Sequence, residues 1–483
     1  MKVKENNNDI VYDVSIIGGG MGGLSAAGLL QRSQYKTILF ESHYYVGGCA
    51  GYFKRREGYY DVGATTLSGF CDNRPLTKLI KDLEINYKTY KEEIGIHAYY
   101  GNKELRYFSE RNKLIEEIKE KFQYDSKDFI NKISKIEKLL WKVLDEIKSF
   151  PKITLKDTLA IIKYAPKLLK HFSIFYKSFY EILPRELQKS EEFIIFLDQM
   201  LLISTQQKSR TCPAFVGIIG FLYPLDTYSS QDGMYGLCRA ITDKIKEDGG
   251  NIRLKEEVRS VKKVNEVYYI QTNKELYKSK KVVFNTPPSV TARILNKSRE
   301  KNIIKKKELN KGHVWGAMTA YFSIKSQKSL RSRYHQIILD KEDKKIFETS
   351  SLFFSFSHPN DKEIVRVTVS THIEKNLFHS KDDEYIYLKS RFKSLVVACF
   401  DKYLKIETTE FKFDSVSTPL TWNHYTQRPS GEVGGLRHTG PLSLLRLLPN
   451  KVSGDIYYVG DYSFPGQGIV SVVQGAYNIK TIL

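Results

Sequence analysis

Short apolar runs alternate with longer mixed segments along the chain, and their order predicts a protein of mixed helices and strands. Ile10 to Ile17 (IVYDVSII) is apolar nearly throughout, the pattern of a buried strand. Gly18 to Gly23 then reads as a tight turn, and Leu24 to Arg32 as a helix opening on the small residues Ala26, Ala27 and Gly28. Lys36 to Phe40 is a second strand ending on Glu41. Near the carboxyl end, the run from Asp455 delivers Gly460-Asp461 to a loop, and Ile469 to Ile479 reads as a last helix. Between these ends, Asn251 to Val258 alternates, with Ile252, Leu254 and Val258 apolar. Lys281 to Pro288 (KVVFNTPP) reads as a buried strand broken by prolines.

The middle of the chain has a different texture. Residues Leu105 to Lys148 are charged and helical in pattern. From Lys156 onward, Lys156, Lys163, Lys170 and Lys177 recur every seven residues, while Ile161, Ala165, Leu168, Phe172, Phe175 and Phe179 recur at spacings of four and three. On one helix the two sets face opposite sides, and Pro166 is expected to kink or split it. Such a wheel suits either a core-facing helix with a solvated lysine face or a helix lying on an anionic bilayer. Phe215 to Tyr223, Trp315 to Phe322 and Leu352 to Phe356 are apolar, aromatic stretches, read as plain core or as the walls of a tunnel.

At 483 residues the chain exceeds one ordinary core of ~100 to 200 residues, so two interlocked domains are expected. Lys+Arg 76 against Asp+Glu 55 gives a net charge of +21, which attracts nucleic acid, anionic lipid or a phosphorylated cofactor. The lysines are spread rather than gathered in an arm and no recognition motif accompanies them, so no nucleic-acid partner is expected. Cys49, Cys71, Cys212, Cys238 and Cys399 are scattered, without zinc spacing, and predict a reducing compartment and no metal. Residues 14 to 30 follow a Lys-containing leader and have the outline of a signal peptide. Six glycines in that run suit a nucleotide turn instead. With no unbroken apolar span of ~18 residues elsewhere, a cytoplasmic protein is expected, peripheral on a membrane if its basic surface meets lipid.

Strand, turn, helix, strand and terminal acid together form a dinucleotide unit. In Gly18-x-Gly20-x-x-Gly23 the glycines allow the turn, the approach of backbone to pyrophosphate and the contact of helix with strand. The helix amino terminus faces the phosphates, and Glu41 accepts from a ribose diol. The chain then adds a second glycine-rich stretch around Gly47-Gly48 and the closing stretch from Gly460-Asp461 to Gly468. A cofactor that reaches both ends of the chain is better met by FAD than by NAD: Asp461 suits ribityl or pyrophosphate-side hydroxyls, and the helix opening at Ile469 aims its dipole at the isoalloxazine. Gly18, Gly20, Gly22, Gly23, Glu41, Gly47, Gly48, Val258, Gly460, Asp461, Gly468 and Ile469 are the expected FAD contacts, Val258 at the adenine.

Gly18 to Gly23, Glu41, Gly47-Gly48, Asp61-Val-Gly63-Ala-Thr-Thr66, Asp232-Gly233-Met234-Tyr-Gly236-Leu237, Thr418-Pro419 and Gly460-Asp461 through Gly468 together resemble the phytoene-desaturase group of FAD oxidoreductases. That group contains carotenoid desaturases, carotenoid isomerases and retinol saturases. The resemblance spans essentially the whole chain, is most specific at its two ends and loosens from Tyr99 to Gln206. GGCAGYF followed by DVGATTLSG most resembles the desaturase and isomerase branch. Val46 and Cys49 flank the second glycine pair where monoamine oxidases carry arginines, which argues against amine oxidation.

The resemblance implies an α+β fold of the amine oxidase/phytoene desaturase type. A discontinuous Rossmann-type FAD-binding domain would comprise residues 1–90, 225–300 and 443–483, and a sheet-and-helix substrate domain 91–224 and 301–442. It also implies an enzyme acting on carbon-carbon bonds of a long apolar isoprenoid, most simply carotenoid desaturation, with cis-trans isomerisation or saturation as alternatives. The electron acceptor and catalytic residues stay open; His43 and His424 are the histidines nearest the glycine motifs, and Cys49 and Cys238 read as small side chains in tight turns. The rival from another class is a non-catalytic prenyl carrier resembling Rab GDP-dissociation inhibitors, against which the complete glycine set argues.

Overall fold

In the computed structural model the first apolar run forms the strand Val11–Ile17, inside an eight-stranded sheet. The structure describes residues 10–71, 73–295, 298–309, 314–325, 330, 332–340, 344, 347, 349–374, 377–378, 380–440 and 442–483. The Lys-containing leader ahead of Ile10 therefore lies outside the described residues. Val11–Ile17 runs parallel to Leu276–Phe284 on one side and to Thr37–Glu41 on the other. Strands covered on both faces read as continuous apolar runs, and Val14, Ile16, Leu39, Val283 and Phe284 are all fully buried. Asn251–Leu254 extends the sheet beside Thr37–Glu41, and Ile456–Tyr458 joins it parallel to Leu276–Phe284.

One predicted strand divides in two. Asn251–Leu254 ends at Lys255, whose φ of +54° breaks the extended chain. Val258 then opens a separate strand, Val258–Val264, at the other end of the strand order, in a meander with Val267–Thr272 and Leu276–Phe284. Alternation marks a strand but not its neighbour, so two short strands joined by a turn give the same signal as one. The first helix begins at Met21, three residues earlier than expected, because Gly20 is already its amino cap.

A second sheet runs in the order Glu410–Ser417, Trp315–Lys325, Ile364–Ile373, Ser351–Phe356, Tyr334–Ile338, Ile94–Tyr100 and Lys103–Phe108, with Glu432–Val433 added beside Trp315–Lys325. The predicted Trp315 to Phe322 and Leu352 to Phe356 runs are buried strands of this sheet. Phe215 to Tyr223, by contrast, lies mostly in the helix Ala214–Phe221, since a run apolar on every side carries no period that separates helix from strand. The charged segment from Leu105 opens as the strand Lys103–Phe108 and then forms the helices Arg111–Phe122 and Lys127–Glu146.

The lysine-rich segment also departs from its wheel. The helix Leu155–Leu169 opens with a reciprocal capping box between Thr154 and Asp157 and continues through Pro166, which sits on its exposed side. Asp157, Ala160 and Tyr164 are its buried residues, whereas Phe172–Phe175 is a separate 3₁₀ turn and Phe179 starts another short helix. The predicted apolar stripe is thus shared among three elements. Among the described residues, no helix is long and apolar enough to cross a membrane.

Candidate functional site

A cavity of about 700 Å³ runs from the ends of the first sheet's strands to the inner face of the second sheet, a volume in the range of small-molecule sites. Its wall at the first sheet is built on the turn after Val11–Ile17. Gly18 has a φ of +104°, and a Cβ there would lie 2.6 Å from the Asn285 carbonyl oxygen. At Gly23 a Cβ would lie 2.1 Å from the Gly18 carbonyl oxygen, so this glycine lets the helix close onto the turn and does not itself line the cavity. Gly20 and Gly22 do line it.

Glu41 ties the turn to the second strand: its Oε2 accepts from the Gly19 N–H (2.7 Å) and its Oε1 from the His43 N–H (2.8 Å). Desolvation raises the Glu41 carboxyl above its ordinary value, against those hydrogen bonds. Gly47 donates its N–H to the Gly19 carbonyl (2.7 Å), which brings the second glycine stretch against the first and places Gly47 and Gly48 in the same wall. Val258 lines the end near Phe40 and Glu41. Gly460, Asp461, Gly468 and Ile469 line the wall supplied by the carboxyl end. Eleven of the twelve expected contacts therefore border one cavity, and Gly23 stands behind it.

The wall fits FAD on two counts. Glycines occupy positions that a Cβ would obstruct, and the helices Met21–Arg32 and Ile469–Ile482 both open on the cavity with no side-chain cap on their first N–H groups. Such termini receive phosphate and carbonyl oxygens.

Two features of the wall were missed by sequence reasoning. Asn285, inside the KVVFNTPP run, donates its Nδ2–H to the Val459 carbonyl (2.8 Å), while its buried Oδ1 has no partner among the described residues. An amide ending an apolar strand was the available signal. Arg428 donates from Nη2 to Asp461 Oδ1 at 3.0 Å, and its Nη1 lies 2.9 Å from Oδ2 as an ion pair without hydrogen-bond geometry. Burial works against the Arg428 charge, but the Asp461 carboxylate outweighs it and holds the guanidinium firmly protonated.

Beyond the glycine loops the cavity is lined by apolar and hydroxyl side chains, among them Thr65, Ile203, Ile219, Leu222, Thr319, Tyr321, Phe353 and Trp422. Two of the carboxylates here are engaged. Glu137 pairs with Arg74, which stacks on Trp141, and Asp226 accepts from the Gly69 (2.7 Å) and Cys71 (3.1 Å) N–H groups. His43 and His372 line the cavity, whereas His424 does not. Burial and the Arg437 charge push His372 down to about 4, so it is neutral at pH 7. Cys49 borders the cavity with its thiol pushed up by burial, and Cys238 is packed behind the wall. Among the described residues, no group of His, Cys, Asp and Glu is arranged to hold a metal.

Asp61, from the DVGATT motif, braces the wall from behind: its Oδ1 accepts from the Met234 N–H (3.0 Å). Burial raises it to about 7, against that hydrogen bond and the Arg366 charge. With an unfolded value near 3.9, its contribution to stability is complete below about pH 4 and is lost as pH rises through 7. Asp61→Asn removes the ionisation. Relative to the parent, the variant is expected to gain roughly 1–3 kcal/mol between pH 5 and pH 8, a range that allows for residual solvent contact. Urea unfolding midpoints of both proteins across that interval check this; parallel pH profiles would show that Asp61 titrates normally.

The family described as "Flavin containing amine oxidoreductase" matches residues 21–432. The chain is 23% identical to the chloroplastic prolycopene isomerase of Arabidopsis thaliana, an alignment covering 97% of this chain and 82% of that protein. Among solved structures, an oxidoreductase from Methanosarcina mazei superposes with a TM-score of 0.64 at 14% identity, covering 97% of this chain and 99% of that one. Putrescine oxidase bound to putrescine superposes with a TM-score of 0.60 at 14% identity, covering 98% of each chain.

Proposed function

We propose that this chain, which belongs to the flavin-containing amine oxidoreductase family and is an FAD-dependent oxidoreductase, acts on the carbon-carbon bonds of a long apolar isoprenoid, a carotenoid. The observation that carries this reading is the character of the cavity beyond the glycine loops. A buried ammonium is stabilised by an unengaged carboxylate, yet Glu137, Asp226 and Asp461 are each committed to an arginine or to backbone N–H groups, and Glu256 and Glu257 lie at the Val258 end of the cavity. What remains is an apolar wall interrupted by hydroxyls, which suits a hydrocarbon. The near full-length similarity to a prolycopene isomerase supports the same substrate class.

FAD, when bound, supplies two-electron redox chemistry. The chain's residues divide the remaining work. Gly18, Gly20, Gly22, Gly47, Gly48, Gly460 and Gly468 give the cofactor backbone to lie against, while the amino termini at Met21 and Ile469 offer N–H groups to its anionic and carbonyl oxygens. Glu41 and Val258 sit where the ribose and adenine would lie, and Asp461, fixed by Arg428, presents an acceptor to the middle of the cofactor. On this reading the segments 1–90, 225–300 and 443–483 form the cofactor half, and 91–224 and 301–442 the substrate half.

Desaturation and cis-trans isomerisation both fit this arrangement. The first removes two hydrogens and needs an external electron acceptor; the second leaves the mass unchanged, and similarity to an isomerase favours including it. The purified flavoprotein should be incubated with phytoene and with poly-cis-lycopene, and the products separated by chromatography and weighed by mass spectrometry. Loss of two hydrogens from phytoene identifies a desaturase, and rearranged lycopene of unchanged mass an isomerase. Inertness toward both, together with peroxide release from putrescine, would overturn the carotenoid reading.

A further inference from the structure

The outward face of the helix Leu155–Leu169 is apolar where a solvated helix would be polar. Leu155, Leu159, Ile162 and Leu169 are 77%, 58%, 60% and 66% exposed, and Phe172 and Tyr176 continue the strip past the helix end at 58% each. Their spacing of three to seven residues puts them on one side. This is not a frayed segment turned inside out, because the opposite side is firmly seated. Ala160 and Tyr164 are buried, Ala160 belongs to the core cluster that includes Ile147 and Leu448, and Asp157 is fixed by hydrogen bonds from Thr154 and from the Lys148 N–H. Four large apolar side chains on a seated helix, with Phe172 and Tyr176 just beyond its end, form a patch that calls for a partner.

The charges beside the patch select that partner. Lys156, Lys163, Lys167 and Lys170 are all exposed and line one flank of the apolar strip. Lys163 pairs with Glu146 of the preceding helix, but Lys156, Lys167 and Lys170 have no ion pair among the described residues. The one acid within Leu155–Leu169 is Asp157, which is buried and committed to the cap. A second copy docked through this face would set lysine against lysine, whereas an anionic bilayer takes the apolar side chains into its interface and the ammonium groups among its headgroups.

We infer that Leu155–Leu169 and the Phe172–Tyr176 segment are a monotopic docking face for an anionic lipid bilayer, lying in the interface plane without crossing it. The inference stands on the surface alone, so vesicle binding and carotenoid turnover can succeed or fail independently. It also relocates the membrane-facing residues: the lipid-facing stripe is Leu155, Leu159, Ile162 and Leu169, beside the lysines, not the Ile161, Ala165 and Leu168 set, which is half-buried against the protein.

The test is flotation of the FAD-loaded protein with vesicles of phosphatidylcholine alone or of equimolar phosphatidylcholine and phosphatidylglycerol. The parent should float with the anionic vesicles at low salt, partition at least about tenfold less onto phosphatidylcholine, and bind more weakly as salt rises. Reversing Lys156, Lys167 and Lys170 to glutamate should weaken binding by about a hundredfold or more. Leu159→Asp combined with Ile162→Asp should abolish it while leaving flavin content and unfolding midpoint unchanged, since both side chains are exposed and remote from the cavity lining. No flotation of the parent with anionic vesicles would overturn the assignment, as would binding that survives both sets of substitutions. A dimer in light scattering that the Leu159/Ile162 variant dissociates, without vesicle binding, would overturn it in favour of self-association.

Discussion

Gly20→Val is expected to yield a folded protein that has lost its FAD. Gly20 has φ −67° and ψ 171°, an extended geometry that valine adopts readily, so the backbone itself offers no objection. The objection is local: a Cβ at Gly20 would lie 2.6 Å from Asn285 Oδ1, and Asn285 is held in place by its bond to the Val459 carbonyl. The new side chain must therefore push into the cavity wall, where the proposed site would receive the FAD pyrophosphate. Overpacking of this kind costs about 1–3 kcal/mol in stability. The lost approach should weaken FAD binding by roughly a hundredfold, or ~2.7 kcal/mol. Flavin absorbance per mole of purified protein, with the circular dichroism spectrum as a check of fold, reads both effects. Stoichiometric FAD in the variant would show that the cofactor does not lie against this turn.

The second large effect is expected at the Arg428–Asp461 pair. Both side chains are more than four-fifths buried, at 14% and 16% exposure. Asp461→Ala leaves a guanidinium in the cavity wall with its carboxylate gone, and uncompensated buried charges cost about 3–5 kcal/mol. The double variant Arg428→Met/Asp461→Leu should recover most of that loss, because two apolar groups of similar size leave no orphaned charge. Denaturant midpoints of the apoproteins measure the stability part. FAD titration measures the rest, since only the double variant separates loss of the Asp461 acceptor from collapse of the wall. A cost below about 1 kcal/mol for Asp461→Ala would place the pair in the solvent-screened class.

What the sequence made legible was local. The glycine turn could be read because each glycine answers a steric demand from its immediate surroundings: the left-handed φ at Gly18, and the contact with the Gly18 carbonyl at Gly23. Glu41 could be read because a strand end places it there. The Arg428–Asp461 pair could not, since the two lie 33 residues apart and only the tertiary approach of the loop after Pro419–Thr426 brings them into register. Asn285 and Val459 are 174 residues apart and were hidden for the same reason. The outward face of Leu155–Leu169 was hidden differently. Its wheel suited a core-facing helix or a bilayer-facing one alike and drew the apolar stripe through Ile161, Ala165 and Leu168, because pattern alone does not say which apolar side of a helix the rest of the protein covers.

The pairing of Val11–Ile17 with Leu276–Phe284 governs how the protein is made. The first strand leaves the ribosome before its neighbour on one side, which is some 260 residues behind it and at about 5–20 residues per second follows after roughly 13–50 seconds. Gly460-Asp461 and the helix Ile469–Ile482 follow later still. The nascent chain ahead of Leu276 must therefore wait with an apolar strand edge open to solvent, a state that favours holdase chaperones and penalises fast, crowded translation. The cavity wall is incomplete until Gly460 to Ile469 have been made, so yield in overexpression should respond to slower synthesis and cooler growth before it responds to added riboflavin.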